Sequence, residues 1–185
     1  LDQAARDRLV VDVVAHWRNW ARRSTYKGRW REDVTRSALV LKLMTSRRHG
    51  SMVAAATFGL PEVLGGSRNW DYRSTWIRDA SFTVYAFMRL GYTDEANDFM
   101  RWVRGRLGDC CEESAKLGIL YSLDGREELP EEHLEHFAGY GGALPVRIGN
   151  EAYKQTQLDI YGELLDAVYL ANKYGEAISY EGWQH

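Results

Sequence analysis

The chain has only two thiols, and they stand side by side at Cys110 and Cys111. Adjacent cysteines make poor partners for an ordinary disulfide, whose geometry sets the two Cα atoms further apart, so no disulfide framework is expected. Also lacking are a signal peptide and any apolar run approaching the ~18 residues of a membrane span. These absences predict a reducing, cytoplasmic setting, while Leu1 in place of Met suggests a chain boundary at the N-terminus. Charge of one sign is missing too: the formal net charge is −2. That balance gives no electrostatic reason to expect nucleic acid or an anionic membrane as partner. The pairs Arg22-Arg23 and Arg47-Arg48 are balanced by nearby acids and read as solvated faces. No internal repeat is visible.

What is present is enough apolar residue, 45% of 185 positions, for one globular domain with a real core. Seven tryptophans are a heavy load for this length. Indoles are large and amphipathic, so some are expected to line a cleft. Spacings of three and four predict five helices. Their stripes are Val10, Val13, Val14, Trp17 and Trp20; Val34, Ala38, Leu41 and Met44; Ile77, Ala80, Val84 and Phe87; Ala96, Phe99, Met100 and Val103; and Leu158, Tyr161, Leu165 and Val168. Residues 37–44 and 158–171 are apolar nearly all round, which predicts helices buried between layers. Gly- and Pro-punctuated stretches at 50–75 and 108–154 predict long functional loops. Within them Ile119–Ser122 should be a short strand entering a hairpin tip at Asp124-Gly125. The expected class is all-α, with helices in layers and an active face built from loops.

The chemistry concentrates in residues 69–81, at the predicted start of the third helix. There Trp70, Tyr72 and Trp76 stand among Asp71, Arg73, Arg78 and Asp79. Aromatic plates for C–H faces, with charged forks for hydroxyls, form the mixture that binds a pyranose. A plainer reading has Asp79 complementing the helix dipole while Arg78 meets a distant acid. Being sequence neighbours on a helix, Arg78 and Asp79 should point apart instead of simply pairing.

Several separated segments, in order, resemble glycoside hydrolase family 15, the family of glucoamylases, glucodextranases and bacterial trehalases. They are Gly50–Glu62, Gly65–Arg73 with Trp76–Asp79, Gly118–Tyr121 with Asp124-Gly125, Gly139-Tyr140, Pro145–Ala152 and Gln155–Glu163. The resemblance implies an (α/α)6 barrel, an inner ring of helices inside an outer one, with residues 1–28 a linker helix and 29–185 the N-terminal part of an incomplete barrel. It implies that Tyr72 and Trp76 stack on a non-reducing-end glucose while Arg78 and Asp79 grip its hydroxyls. Trp70, Gln157 and Asp159 are further candidates, although Gln157 and Asp159 could equally only hold a helix end. The implied activity is inverting, exo-acting hydrolysis of an α-glucoside such as an α-linked gluco-oligosaccharide or trehalose, with no cofactor and no metal.

Inversion needs a general acid and a general base on opposite sides of the bond. In the family both are glutamates, and both are expected beyond His185; Glu181 does not match the acid's context. The chain alone is therefore expected to be inactive. Its apolar edges should be covered by the rest of a barrel or by self-association. Rival readings are a self-contained carboxylate pair drawn from Glu62, Asp71, Asp79, Glu112 and Glu113, and a non-catalytic carbohydrate-binding or regulatory helical domain. A metal site at Glu132-His133-Leu134-Glu135-His136 has the wrong histidine spacing and no third ligand.

Overall fold

A computed structural model describes residues 2–108, 117–175, 177, 179 and 180. Cys110, Cys111, Glu112, Glu113 and Glu181 lie outside the described residues. The chain is mostly helical: α1 (Gln3–Ala21), α2 (Arg31–Leu43), α3 (Ile77–Leu90), α4 (Thr93–Gly108) and α5 (Asp159–Tyr174). Four two-residue strands accompany them. β1 (Thr75–Trp76) pairs antiparallel with β2 (Leu120–Tyr121), and β3 (Glu132–His133) pairs antiparallel with β4 (Arg147–Ile148). No described helix is long and apolar enough to cross a membrane.

The core lies where α3, α4 and α5 meet. Helix α3 buries Ile77, Ala80, Val84, Phe87 and Met88 at the spacing its sequence predicts. Each of its large side chains contributes about 1.5–3 kcal/mol by leaving water. The helix ends at Gly91, whose left-handed φ of 87° lets Tyr92 N–H reach back to the Phe87 carbonyl at 2.9 Å. The chain then reverses into α4, which buries Ala96, Phe99, Met100 and Val103. Helix α5 returns beside α3 in the same direction. Arg78 and Asp159 meet at their starts, and a Cβ on Gly175 would press on Met88 near the end of α3.

Three expectations change. Helix α5 is not buried all round, and the stripe read from its sequence is the wrong face: Leu158, Tyr161 and Leu165 are exposed, while Ile160, Leu164, Ala167 and Ala171 pack inward. Helix α2 is a surface helix that buries only Ala38 and leaves Val40 and Leu43 exposed. Helix α1 exposes Val10, Val13 and Val14 and buries Trp20 alone.

Trp20 explains how α1 is held. Its ring stacks on Tyr92 at 4.1 Å and its Nε1–H donates to the buried Glu95 carboxylate at 2.6 Å. Lys42 of α2 reaches the same carboxylate at 2.9 Å and Arg23 approaches it at 3.5 Å. Burial pushes the Glu95 carboxyl up, but the Trp20 and Lys42 hydrogen bonds outweigh it and hold the group below its ordinary value. The strand expected at 119–122 also pairs elsewhere. Its partner is β1, some forty-five residues upstream, while the turn closes locally through Gly125 N–H to the Ser122 carbonyl.

Candidate functional site

Strand β1 delivers the chain directly into α3. Trp76 is extended (ψ 128°) and acts as the N-cap, and Ile77 N–H donates to the Ile119 carbonyl at 3.0 Å. Pairing with β2 therefore fixes both the aromatic at the helix entrance and the first turn carrying Arg78 and Asp79. The Tyr72 and Trp76 rings lie 5.9 Å apart at a tilt of 48°. With Trp70 they form one wall of an open cavity of about 290 Å3, and Glu131, Asn150, Glu151, Ala152 and Gln155 form the other. An adjoining cavity of about 360 Å3 shares Gln155 and adds Gln157.

Gln157 leads to Arg78. The Nη1 group of Arg78 donates to Gln157 Oε1 and to Asp159 Oδ2, each at 2.8 Å. Its Nη2 group has no protein partner among the described residues. Asp79 Oδ2 lies 3.8 Å from Arg78 Nε, too far for a hydrogen bond but within ion-pair distance, so the two neighbours, expected to point apart, lean toward each other. The hydrogen bond from Arg78 holds the exposed Asp159 carboxyl below its ordinary value and raises that of the guanidinium. Burial pushes the Tyr72 phenol up, reinforced by the nearby charges of Glu62 and Asp79.

The two loops that carry the cavity walls are latched by Asp71, which is 6% exposed. Arg73 forks onto its carboxylate through Nε and Nη2 at 2.9 Å each, and Arg73 N–H adds a bond at 3.0 Å. From the opposite loop, Gly149 N–H donates to Asp71 Oδ2 at 3.1 Å and Asn150 Nδ2 to the Asp71 carbonyl at 3.2 Å. Burial alone would raise the Asp71 carboxyl, but these bonds from Arg73 and Gly149 bring it below its ordinary value. Gly149 has φ 76°, and a Cβ there would sit 2.0 Å from the Pro130 carbonyl oxygen, so no other residue fits. The buried Arg147 stands over the Trp70 ring at 4.6 Å and donates to Glu131 Oε2 and the Ser67 carbonyl, each at 3.3 Å.

A sequence profile of glycosyl hydrolases family 15 matches residues 28–185. The chain belongs to glycoside hydrolase family 15. It is 42% identical to a trehalase of Thermoplasma acidophilum over 94% of its length, and 42% identical to a trehalase of Mycolicibacterium smegmatis over 90%. Trehalase 1 of Sulfolobus acidocaldarius is 41% identical over 78% of the chain. The chain spans only 25–29% of the length of these curated relatives. No solved structure matches it.

Within this family 15 chain the expected residues fall into two groups. Trp70, Tyr72 and Trp76 share the aromatic cavity; Arg78, Gln157 and Asp159 share a hydrogen-bonded cluster where α3 and α5 begin, with Asp79 beside it. Sequence reasoning did not single out Glu131, Asn150, Glu151, Gln155 or Arg147 as site residues. Of these, Arg147, Asn150, Glu151 and Gln155 stood inside the recognised segments, and that position was the available signal. Glu131 carried none: its role arises only because β3 and β4 pair and set it beside Arg147. The same pairing puts His133 in a strand, so it shares no helical face with His136. Among the described residues no group of three metal-binding side chains gathers.

Proposed function

We propose that the protein to which this chain belongs hydrolyses α-linked glucosides, trehalose first among them, and that this chain builds the subsite for the terminal glucose. The observation that carries the reading is Arg78. It is fixed at the meeting of two helix starts, with Nη1 engaged and Nη2 left for a ligand, beside the cavity walled by Trp70, Tyr72 and Trp76. The aromatic wall suits the C–H face of a pyranose, and a guanidinium with unengaged N–H groups suits its hydroxyls. Asp79, 44% exposed at the side chain, is free to accept from a sugar hydroxyl. The names of the relatives favour trehalose over longer glucans.

In this reading the chain is the first part of an (α/α)6 barrel, with α3 and α5 in the inner ring and α4 outside. The general acid and base are glutamates beyond these residues: one protonates the departing oxygen while the other drives water in from the opposite face. A general acid must keep its proton near neutral pH. Of the carboxyls offered for a self-contained pair, this removes Asp71 as the acid, because the hydrogen bonds from Arg73 and Gly149 outweigh its burial and hold it below its ordinary value.

The test is to assay the full-length gene product against trehalose, maltose and isomaltose while following anomers by NMR. Inverting hydrolysis of trehalose releases α- and β-glucose in equal amounts at the first moment, because only the attacked ring changes configuration. Initial release of α-glucose alone would overturn inversion. Binding of trehalose with no glucose release would favour a carbohydrate-binding domain instead.

A further inference from the structure

Trp70 is held more tightly than a wall residue of an open cavity needs to be. The residue before it, Asn69, is fully buried and donates through Nδ2 to the Pro145 carbonyl at 3.0 Å and the Gly66 carbonyl at 3.2 Å. The residue after it is the clamped Asp71. Arg147 stands over the indole without lining the cavity, so it braces the ring from the protein side. This guanidinium is 8% exposed, and its Nε is buried with no hydrogen-bond partner among the described residues. Burying a cation and orphaning one of its N–H groups both cost stability. Arg147 is therefore placed for the ring it covers at the expense of its own hydrogen bonding.

The cavity aromatics also divide in two. Tyr72 and Trp76 touch each other, whereas Trp70 makes no ring contact with either among the described residues. Trp76 runs directly into the helix turn carrying Arg78 and is only 7% exposed, which makes it the deep end; Trp70 is half-buried. A pocket that takes a saccharide by its end receives the terminal ring deepest, and the ring beyond the scissile oxygen lies nearer the mouth. Glu131 lines the same cavity with its carboxylate fixed by Arg147 Nη1 at 3.3 Å and Glu151 N–H at 3.2 Å. An ionised carboxylate so held keeps lone pairs for the hydroxyls at the edge of a stacked sugar. We propose that Trp70, braced by Arg147, is the specificity-determining plate for the sugar on the leaving side of the bond, with Arg147 and Glu131 as positioning residues. This assignment rests on the glucosidase reading above.

The experiment compares trehalose and maltose with α-glucosyl fluoride on the full-length protein. All three present the same terminal ring, but the fluoride has a one-atom leaving group that no plate can hold. Trp70→Ala should lower kcat/KM on the two disaccharides by on the order of 10–100-fold, with a loss on the fluoride at least about tenfold smaller. Trp70→Phe, which keeps a plate, should recover most of the disaccharide activity. Arg147→Lys keeps the charge but not the planar fork, and should shift the disaccharide-to-fluoride ratio the same way by a smaller factor; should it fold poorly, the Trp70 pair decides alone. Equal losses on all three substrates would assign Trp70 to the terminal ring and overturn the proposal while leaving the glucosidase reading intact. So would a Trp70→Ala variant with wild-type rates on the disaccharides. A wild type that releases glucose from none of the three overturns the glucosidase reading, and this assignment with it.

Discussion

Where α3 and α5 begin, charge is satisfied inside the structure: Arg73 closes on Asp71, Arg147 on Glu131, and Arg78 on Gln157 and Asp159. Around α1 and α2 it is not, for an apolar stripe faces solvent and four arginines face an open groove. The first region specifies its own geometry, because each buried polar group has one arrangement of partners that costs little. The second is tied to the core chiefly through Trp20, which stacks on Tyr92, and through the Glu95 carboxylate that Trp20 and Lys42 share, with Arg23 on Asp94 and Thr25 N–H on the Leu90 carbonyl beside them.

The sharpest way to break this comparison is to carve the packed region. Phe87→Ala, fully buried between α3 and its neighbours, should cost about 3–5 kcal/mol in chemical denaturation. Next comes the tie between the two regions. Glu95→Ala should cost about 2–3 kcal/mol, since it removes one partner of a buried charge cluster whose cations are still partly solvated. Arg78→Ala in the intact enzyme should lower kcat/KM by about 10²-fold (~2–3 kcal/mol) with little change in stability. Unchanged kinetics in a folded variant would remove Arg78 from the subsite.

A smaller effect should appear on acidification. Asp71 and Glu95 have folded values below their unfolded ones, so their stabilisation is complete above the unfolded values of about 3.9 and 4.3. It fades as pH falls through the folded values. The unfolding midpoint should therefore drop below about pH 4, and less steeply in Glu95→Gln. Smallest of all, Val13→Ser on the exposed face of α1 should change stability of the 185-residue chain by no more than about 0.5 kcal/mol. A clearly larger loss in the full-length protein would show that the remaining polypeptide covers this face.

The parts of the fold that could be read from sequence are those where one face is apolar and the other is not. Helices α3 and α4 are of this kind, and Ala80, Val84, Phe87, Phe99 and Val103 all point inward as their spacing requires. Helix α5 is apolar on two faces, so its pattern fixes a helix but not a phase. The structure turns Ile160 and Leu164 inward and leaves Leu165 outside. Strand β2 was legible as extended chain, but its partner was not, because pairing with Thr75-Trp76 across the intervening helices is a tertiary choice. The aromatic and charged residues at 70–79 stood out by composition. The groups opposite them did not, since Glu131 and Asn150 acquire their positions only when the loops close.

Arg78 also has a mechanical consequence. One nitrogen of its guanidinium fastens the entrance of α3 to that of α5, so under the proposed function a hydroxyl bound at the other nitrogen would be docked onto the rivet between two columns. On the proposed reading, occupancy of the pocket and the spacing of those columns would be geared together: spreading the helices would retract the free nitrogen, and a ligand held by it would draw the helices into step.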